Sequence, residues 1–512
     1  MIATAYSATL HGIRAEQVRI EVDIARGLPA FDLVGLPGSA VRESRGRVRS
    51  AIRNSGYPFP LARITVNLAP GDIRKVGPQF DLPIALAILS AQGCIPPDAL
   101  THWVLLGELA LDGTVRPVRG VFCAAADLTL SDADDSPKYL MAPQENAHEL
   151  RALDRVPGHL VSSLKEAVEF FRERRPASMI IPSKSRRNGR DNQQPPEETV
   201  YGQQAAKRVL EIAVAGGHNV LFVGPPGSGK TLLARRILDL LPPLSREQRV
   251  EVHRIYSAAG LLTPEQTMCD PPFRAPHHST SLPAMIGGGT PVRPGEISLA
   301  HQGVLFLDEI AEFQQRTLEA LREPLETGVV QLARSGTTYV MPSRFVLIAA
   351  ANPCPCGWLG DPRRECRCSP AGVARYRRRL SGPLLDRIDL YLEVGAVPPD
   401  ELMAAGLDAD KAAEELLASR QRILAARERQ KKRGQLHWNG HDRTPLHAAI
   451  AQLGRAEYRL LERCAHELGL TGRGIRCVLR TARTIADLAG TETIQSEHIA
   501  EAVSYRFPTD FA

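Results

Sequence analysis

Apolar and polar residues alternate over residues 18–23 (VRIEVD) and 63–68 (RITVNL), the two-residue period of a strand with one buried face. Residues 41–55 carry the wider spacing of an amphipathic helix, and Asp81–Ala91 (DLPIALAILSA) is apolar nearly all round. A helix of that kind has no face for water, so it predicts a buried one. Another strand starts at residues 104–106. The mixture predicts an α+β domain. The pattern then stops. Residues 183–198 (SKSRRNGRDNQQPPEE) are polar, charged and proline-containing, with nothing to bury, and read as an exposed linker.

From residue 199 helix-like stretches alternate with short apolar runs. These are 219–224 (NVLFVG), 303–308 (GVLFLD) and 344–350 (RFVLIAA), each ending in a loop with polar residues. Fully apolar strands predict a parallel sheet covered on both faces, with its site at the strand C-termini. Beyond about residue 399 the pattern is helical: 411–432, 445–469, 473–488 and 496–505. The expected division is 1–172, a linker at 173–198, an α/β core at 199–398 and a helical domain at 399–512.

At 512 residues the chain is too long for one core, which agrees with this division. Hydrophobic residues are 43% and charged residues 23%, which excludes wholesale disorder. A net charge of +6 permits a nucleic-acid partner without demanding one. Aromatics at 5% argue against a base-stacking surface. No apolar run is long enough to span a bilayer and the N-terminus lacks a signal-peptide pattern, so a cytoplasmic protein is expected.

The chemistry begins at Gly224-Pro225-Pro226-Gly227-Ser228-Gly229-Lys230-Thr231, which follows a strand and opens a helix. This is the complete phosphate-loop pattern in its required context. Glycines let backbone N–H groups approach phosphates, Lys230 supplies a point charge, and the Thr231 hydroxyl suits Mg²⁺. The second apolar strand delivers Asp308 toward that metal and Glu309 beside it, placed to polarise a water. Asn352 ends the third strand, where a polar side chain can orient the water; a plain turn-forming Asn before Pro353 is the alternative. Together these elements predict hydrolysis of a nucleoside triphosphate, with ATP and Mg²⁺ as cofactors.

Several stretches resemble the magnesium-chelatase-like branch of AAA+ ATPases, of the ComM/YifB type. They are TVYGQQAAKRVLEIAVAGGHNVLFVGPPGSGKT, FRAPHHSTS with PGEISLAHQGVLFLDEIAEF, AAANPCPCG with SGPLLDRIDL, and RTARTIADLAG. The resemblance implies a P-loop module with a helical lid. It also implies a ring, a hexamer in this family, and helicase or branch-migration work on DNA during recombination and natural transformation. By the same resemblance, residues 200–203 would line the adenine pocket. Arg387 would be the arginine finger reaching a neighbouring subunit's γ-phosphate, and Arg473 the lid's sensor arginine, with Arg476 and Arg480 competing for that role. The segment around Arg274, His277, His278 and Gly287–Gly289 would face the ring pore. Residues 329–340 read as a hairpin, and Arg334 at its tip would contact DNA phosphates.

Cys354, Cys356, Cys366 and Cys368 give C-x-C-x9-C-x-C, four of the nine cysteines in fifteen residues. In a reducing compartment the spacing favours a structural zinc site over disulfides. Redox-active or incidental thiols are the alternatives. Near the N-terminus, residues 63–124 resemble the Lon-type protease fold, a ribosomal S5 domain 2-like arrangement. However, Gln79 stands at the nucleophile position and Phe122 near the lysine position, so a Ser–Lys dyad and proteolysis are not expected.

Two functions follow. A DNA motor comes first, supported by the basic stretches at 375–379 and 427–433. A metal-chelatase-type or remodelling ATPase acting on a protein is the alternative, because the same nucleotide site can power both. A transcriptional activator would need a promoter-binding domain, and no helix-turn-helix pattern is present.

Overall fold

Ten strands and the helices around them come from the first 180 residues, and eight of those strands form one mixed sheet. Its order is Ser178–Ile180, Val156–Val161, Tyr139–Pro143, Trp103–Leu105, Ile2–His11, Arg14–Ala25, Arg63–Ala69 and Ala30–Val34. The computed structural model describes residues 2–128, 137–153, 155–180, 202–263, 269–334, 336–397, 409–435, 438–441, 444–450 and 452–506. The expected linker at 183–198 and the start of the helical region at 399–408 lie outside the described residues.

The helix Asp81–Ala91 is buried along its whole length, as its uniform apolarity requires. Asp81 is its only charged residue, and Arg47 clamps it through Nε at 2.6 Å and Nη2 at 3.0 Å. Burial pushes the Asp81 carboxyl up to about 6, against the opposing pull of Arg47. The strand Ile2–His11 was not anticipated. It pairs with Arg14–Ala25 along its full length, but its inward positions are Ala3, Ala5 and Ser7, too small and too mixed to register as alternation.

The second unit is built on five parallel strands in the order Phe273–Arg274, Val304–Leu307, Val346–Ala351, Val220–Val223, Leu390–Glu393. Alternate strand residues enter two cores. Val220, Phe222, Val304, Phe306 and Ile348 pack with the helices Gln204–Gly216 and Lys230–Leu240. Leu221, Leu305, Leu307 and Leu347 pack on the other face with Val252, Ile255 and Tyr256 of the helix Arg246–Ala259. Both faces are covered, which is why these strands read as unbroken apolar runs.

The C-terminal region is helical, with Ala409–Lys432, Arg455–Glu467, Gly472–Ala489 and Ser496–Ser504 its longer members. Residues 445–469, read as one helix, contain two: Leu446–Ile450 and Arg455–Glu467. The second starts afresh from Gly454, whose extended backbone cannot continue a helix. Thr471 caps Gly472–Ala489 by accepting from the Gly474 N–H.

The two sheets are joined through Arg246–Ala259. Arg254 pairs with Asp127, the Ser257 hydroxyl donates to Glu149, and Cys123 enters the second core. Burial pushes the Glu149 carboxyl up. The His11 ring also lies 4.6 Å from Tyr339, on a separate hairpin formed by Val329–Arg334 and Thr337–Pro342. No helix among the described residues is long and apolar enough to cross a membrane.

Candidate functional site

The strand Val220–Val223 leads into Gly224, where a Cβ would stand 2.2 Å from the Val394 carbonyl oxygen, so only glycine fits. Gly227 and Gly229 take φ of 76° and 83°, the left-handed region that turns the loop into the helix Lys230–Leu240. Lys230 is buried, with Nζ donating to Gly224 O at 2.8 Å and Pro225 O at 2.9 Å. Burial pushes its ammonium down, and Asp308 and Glu309 oppose that.

The sheet order then closes the site. Val346–Ala351 is the immediate neighbour of the phosphate-loop strand, and it brings the Asn352 Oδ1 to 3.4 Å from Lys230 Nζ. Val304–Leu307 is next, and Asp308 Oδ2 accepts from the Thr231 hydroxyl at 2.8 Å. Adjacent ligands of octahedral Mg²⁺ at about 2.1 Å stand about 3.0 Å apart, so this oxygen pair is close to one edge of such an ion. The Ser228 hydroxyl is buried with no hydrogen-bond partner among the described residues. An orphaned donor inside a glycine turn fits phosphate oxygens. Glu309 has a left-handed backbone, and its carboxylate lies 3.8 Å from His278 Nδ1. Sequence reading placed His278 only on the segment expected to face the ring pore. Its signal is the polar run directly after Phe273–Arg274, the strand beside Val304–Leu307. Val200 and Tyr201 of the expected adenine wall lie outside the described residues, whereas the Gln203 side chain donates to Gly395 O at 2.8 Å.

Arg387 stands apart from this group. It donates to Arg322 O at 3.0 Å and Pro383 O at 2.6 Å, and pairs with Glu326. Arg473 reaches the same carboxylate at 3.8 Å. Arg387, Arg473, Arg476 and Arg480 all line one cleft of about 740 Å³. The structure thus groups the finger and sensor candidates with each other, rather than with Lys230. Glu326, which sequence reasoning missed, joins two of them. Its carboxyl is held down first by the Arg387 hydrogen bond.

The hairpin forms as expected, with Arg334 exposed beside its turn. It packs on the Gly287–Gly288 strand: a Cβ on Gly287 would lie 3.3 Å from Leu332, and one on Gly288 3.7 Å from the Arg334 guanidinium. The sulfurs of Cys354, Cys356, Cys366 and Cys368 all lie within 4.8 Å of one another. Backbone N–H groups of Trp358 and Arg367 hold the Cys356 thiol down at about 6. In the first sheet's unit, Gln79 is buried and donates to Val76 O at 2.9 Å, while Phe122 is wholly buried. Neither offers a nucleophile.

A five-stranded parallel sheet with a phosphate loop, an acidic pair on the second strand and a helical lid defines a AAA+ P-loop module. Comparison with known proteins makes this specific. Residues 197–402 match the family described as magnesium chelatase, subunit ChlI; residues 20–146 match subunit ChlI of Mg-chelatase; residues 414–506 match the ChlI C-terminal family. The chain belongs to the magnesium-chelatase-like AAA+ family, and membership implies ATPase activity in general. It is 43% identical to YifB of Escherichia coli over 97% of this chain and 95% of that one. It is 40% identical to the competence protein ComM of Haemophilus influenzae, over 99% and 97% respectively. A rice chloroplast magnesium-chelatase subunit ChlI is 24% identical over 61% of this chain and 75% of its own.

Proposed function

We propose that this protein is a ring-forming ATPase that moves on DNA, a helicase or branch-migration factor for recombination of incoming DNA. The observation that carries it is the split between the two charged sites. Lys230, Thr231, Asp308, Glu309 and Asn352 gather on one set of strand ends, while Arg387 and Arg473 gather in a separate cleft. An arginine finger grouped away from its own phosphate loop would serve a neighbour's. This supports a closed oligomer, a hexamer in our reading, with each active site shared by two chains.

In this reading ATP lies along the phosphate loop, with Thr231 and Asp308 holding Mg²⁺, which supplies charge neutralisation at the phosphates when bound. Lys230 and the loop N–H groups grip the phosphate oxygens. Glu309 takes up the proton of the attacking water, and Asn352 orients that water. Arg387 and Arg473 meet charge that develops in the transition state of the adjacent subunit. The first unit runs through the strand Ser178–Ile180, past the expected boundary at 172, and the chain divides again at about residues 198 and 398; the first unit is a Lon-like domain without protease chemistry. The four thiolates hold zinc. The protein works in the cytoplasm.

DNA is favoured by the exposed Arg334 hairpin and by the full-length similarity to a competence protein. Protein remodelling is the second reading, favoured by family descriptions that name a chelatase subunit. ATP turnover measured alone and with single-stranded, duplex and branched DNA separates them. Stimulation by DNA supports the motor; indifference to all three DNAs hands the function to the second reading.

A further inference from the structure

The cysteine cluster is not a remote ornament of the fold. Cys354 lies two residues beyond Asn352, on the loop that leaves the central strand Val346–Ala351. The S···S separations are 3.4 Å for Cys354–Cys356 and 3.6 Å for both Cys354–Cys366 and Cys356–Cys366. A disulfide needs about 2.05 Å. Zinc bound to four thiolates at about 2.3 Å sets tetrahedral edges of about 3.8 Å, which is near what these sulfurs already hold.

Two contacts tie this cluster to the nucleotide site, one through Gly357 and one through Tyr376. Gly357 N–H closes a turn onto Cys354 O at 2.9 Å. Gly357 takes a φ of +82°, and a Cβ there would stand 2.6 Å from Pro226 Cδ and 2.8 Å from its Cγ. The knuckle therefore rests directly on the phosphate loop. On the far side, Ser369 follows Cys368 and caps the helix Pro370–Arg377 by accepting from Gly372 N–H at 3.1 Å. That helix carries Tyr376, whose phenolic oxygen faces the Asn352 backbone N–H. Asn352 is thus enclosed by the phosphate loop, the cysteine knuckle and the helix that the knuckle launches.

We propose that zinc in the four-thiolate site is a positioning group for ATP hydrolysis: it pins the Asn352–Gly357 loop against Pro226 and so fixes Asn352 beside Lys230. This rests on the reading of Asn352 as the residue that orients the attacking water. Without the metal, four thiols at this spacing have no common partner, and a loop with a one-residue spacer between ligands loses its shape. Nucleotide grip, which comes from Lys230 and the loop N–H groups, is retained. What is lost is water alignment, where a displacement of about 1 Å costs roughly 100-fold in rate.

The full chain, purified without chelator, is assayed for zinc by elemental analysis, for ATP affinity with a fluorescent analogue, and for turnover. Three variants are compared: Cys366→Ser, which removes a ligand; Gly357→Ala, which keeps all four thiolates but wedges the knuckle off Pro226; and Asn352→Ala. The expected result is about one zinc per chain in the wild type. Cys366→Ser loses zinc, Gly357→Ala keeps it, and both lose turnover at least about tenfold with ATP affinity nearly unchanged. Absence of zinc from folded wild-type protein overturns the proposal. So does full turnover by zinc-free Cys366→Ser, or an equal loss of ATP affinity and turnover in Gly357→Ala. Full turnover by Asn352→Ala would instead remove Asn352 from the hydrolytic reading, whatever the zinc content.

Discussion

Lys230 and Glu309 sit in one small site with opposite duties, and their substitutions should separate. Lys230 makes its hydrogen bonds to Gly224 O and Pro225 O, the lip of the loop where phosphates would lie. Lys230→Ala should abolish nucleotide binding, checked by titration with a fluorescent ATP analogue. The Glu309 carboxylate lies 3.8 Å from His278 Nδ1 rather than among the lysine's hydrogen-bond partners. Glu309→Gln should bind ATP as the wild type does while turnover falls at least about 100-fold, the usual weight of a general base. Turnover at the wild-type rate by Glu309→Gln would mean another group takes the proton. The phosphate loop, Asp308 and Asn352 were legible from sequence, because each is fixed by a strand end and its adjacent turn. Glu326 and His278 were not. Each matters through a partner distant in sequence, Arg387 in one case and Glu309 in the other, and no local pattern encodes such a pairing.

The helix Gly472–Ala489 and the strand Leu390–Glu393 meet through Asp389. Its carboxylate accepts from Asn219 N–H at 3.1 Å, lies 3.5 Å from His218 Nδ1, and takes the Cys477 thiol at 3.2 Å. Burial pushes this carboxyl up, but the nearby His218 ring and hydrogen bonds from Asn219 and Cys477 outweigh it and hold it at about 2, against an ordinary 3.8. A depressed folded value means the stabilisation is present above about pH 4 and lost as pH falls toward 2, about 2 kcal/mol in all. Denaturant unfolding of Asp389→Asn should therefore differ from wild type at neutral pH and converge on it in acid; a gap that does not change with pH would discount the charge. The hairpin Val329–Arg334 with Thr337–Pro342 carries a different test. Arg334→Ala should weaken DNA binding and lower the salt slope by about one, whatever the sequence of the DNA. An unchanged slope would leave Arg334 a solvated surface residue. Strands and long helices were readable because burial on one or both faces writes a period into the chain. The strand Ile2–His11 was hidden by small residues, and the break at Gly454 by helix-like flanks on both sides.

In the proposed ring, Arg387 is the residue that tests the subunit boundary. If it acts on a neighbour, Arg387→Ala should keep ATP affinity and lose about 1000-fold or more in turnover. Mixing Arg387→Ala with Lys230→Ala subunits should restore part of the activity, since some boundaries then pair an intact loop with an intact Arg387. Steady-state ATPase across mixing ratios checks this, and a flat response would confine Arg387 to its own chain. The two sheets are also joined through Arg246–Ala259, to which Asp127, Glu149 and Cys123 are fastened. The cleft that holds Arg387 carries a last consequence. Its lining includes Arg344, Arg387, Arg473, Arg476 and Arg480 against only Glu326, Asp386 and Asp389. Such a wall carries more positive than negative side chains. In the proposed ring a neighbour's triphosphate would bring negative charge to it. The ligand is then mortar as well as fuel: sedimentation should show larger assemblies with a non-hydrolysable ATP analogue than without it, and rings that loosen each time a phosphate leaves.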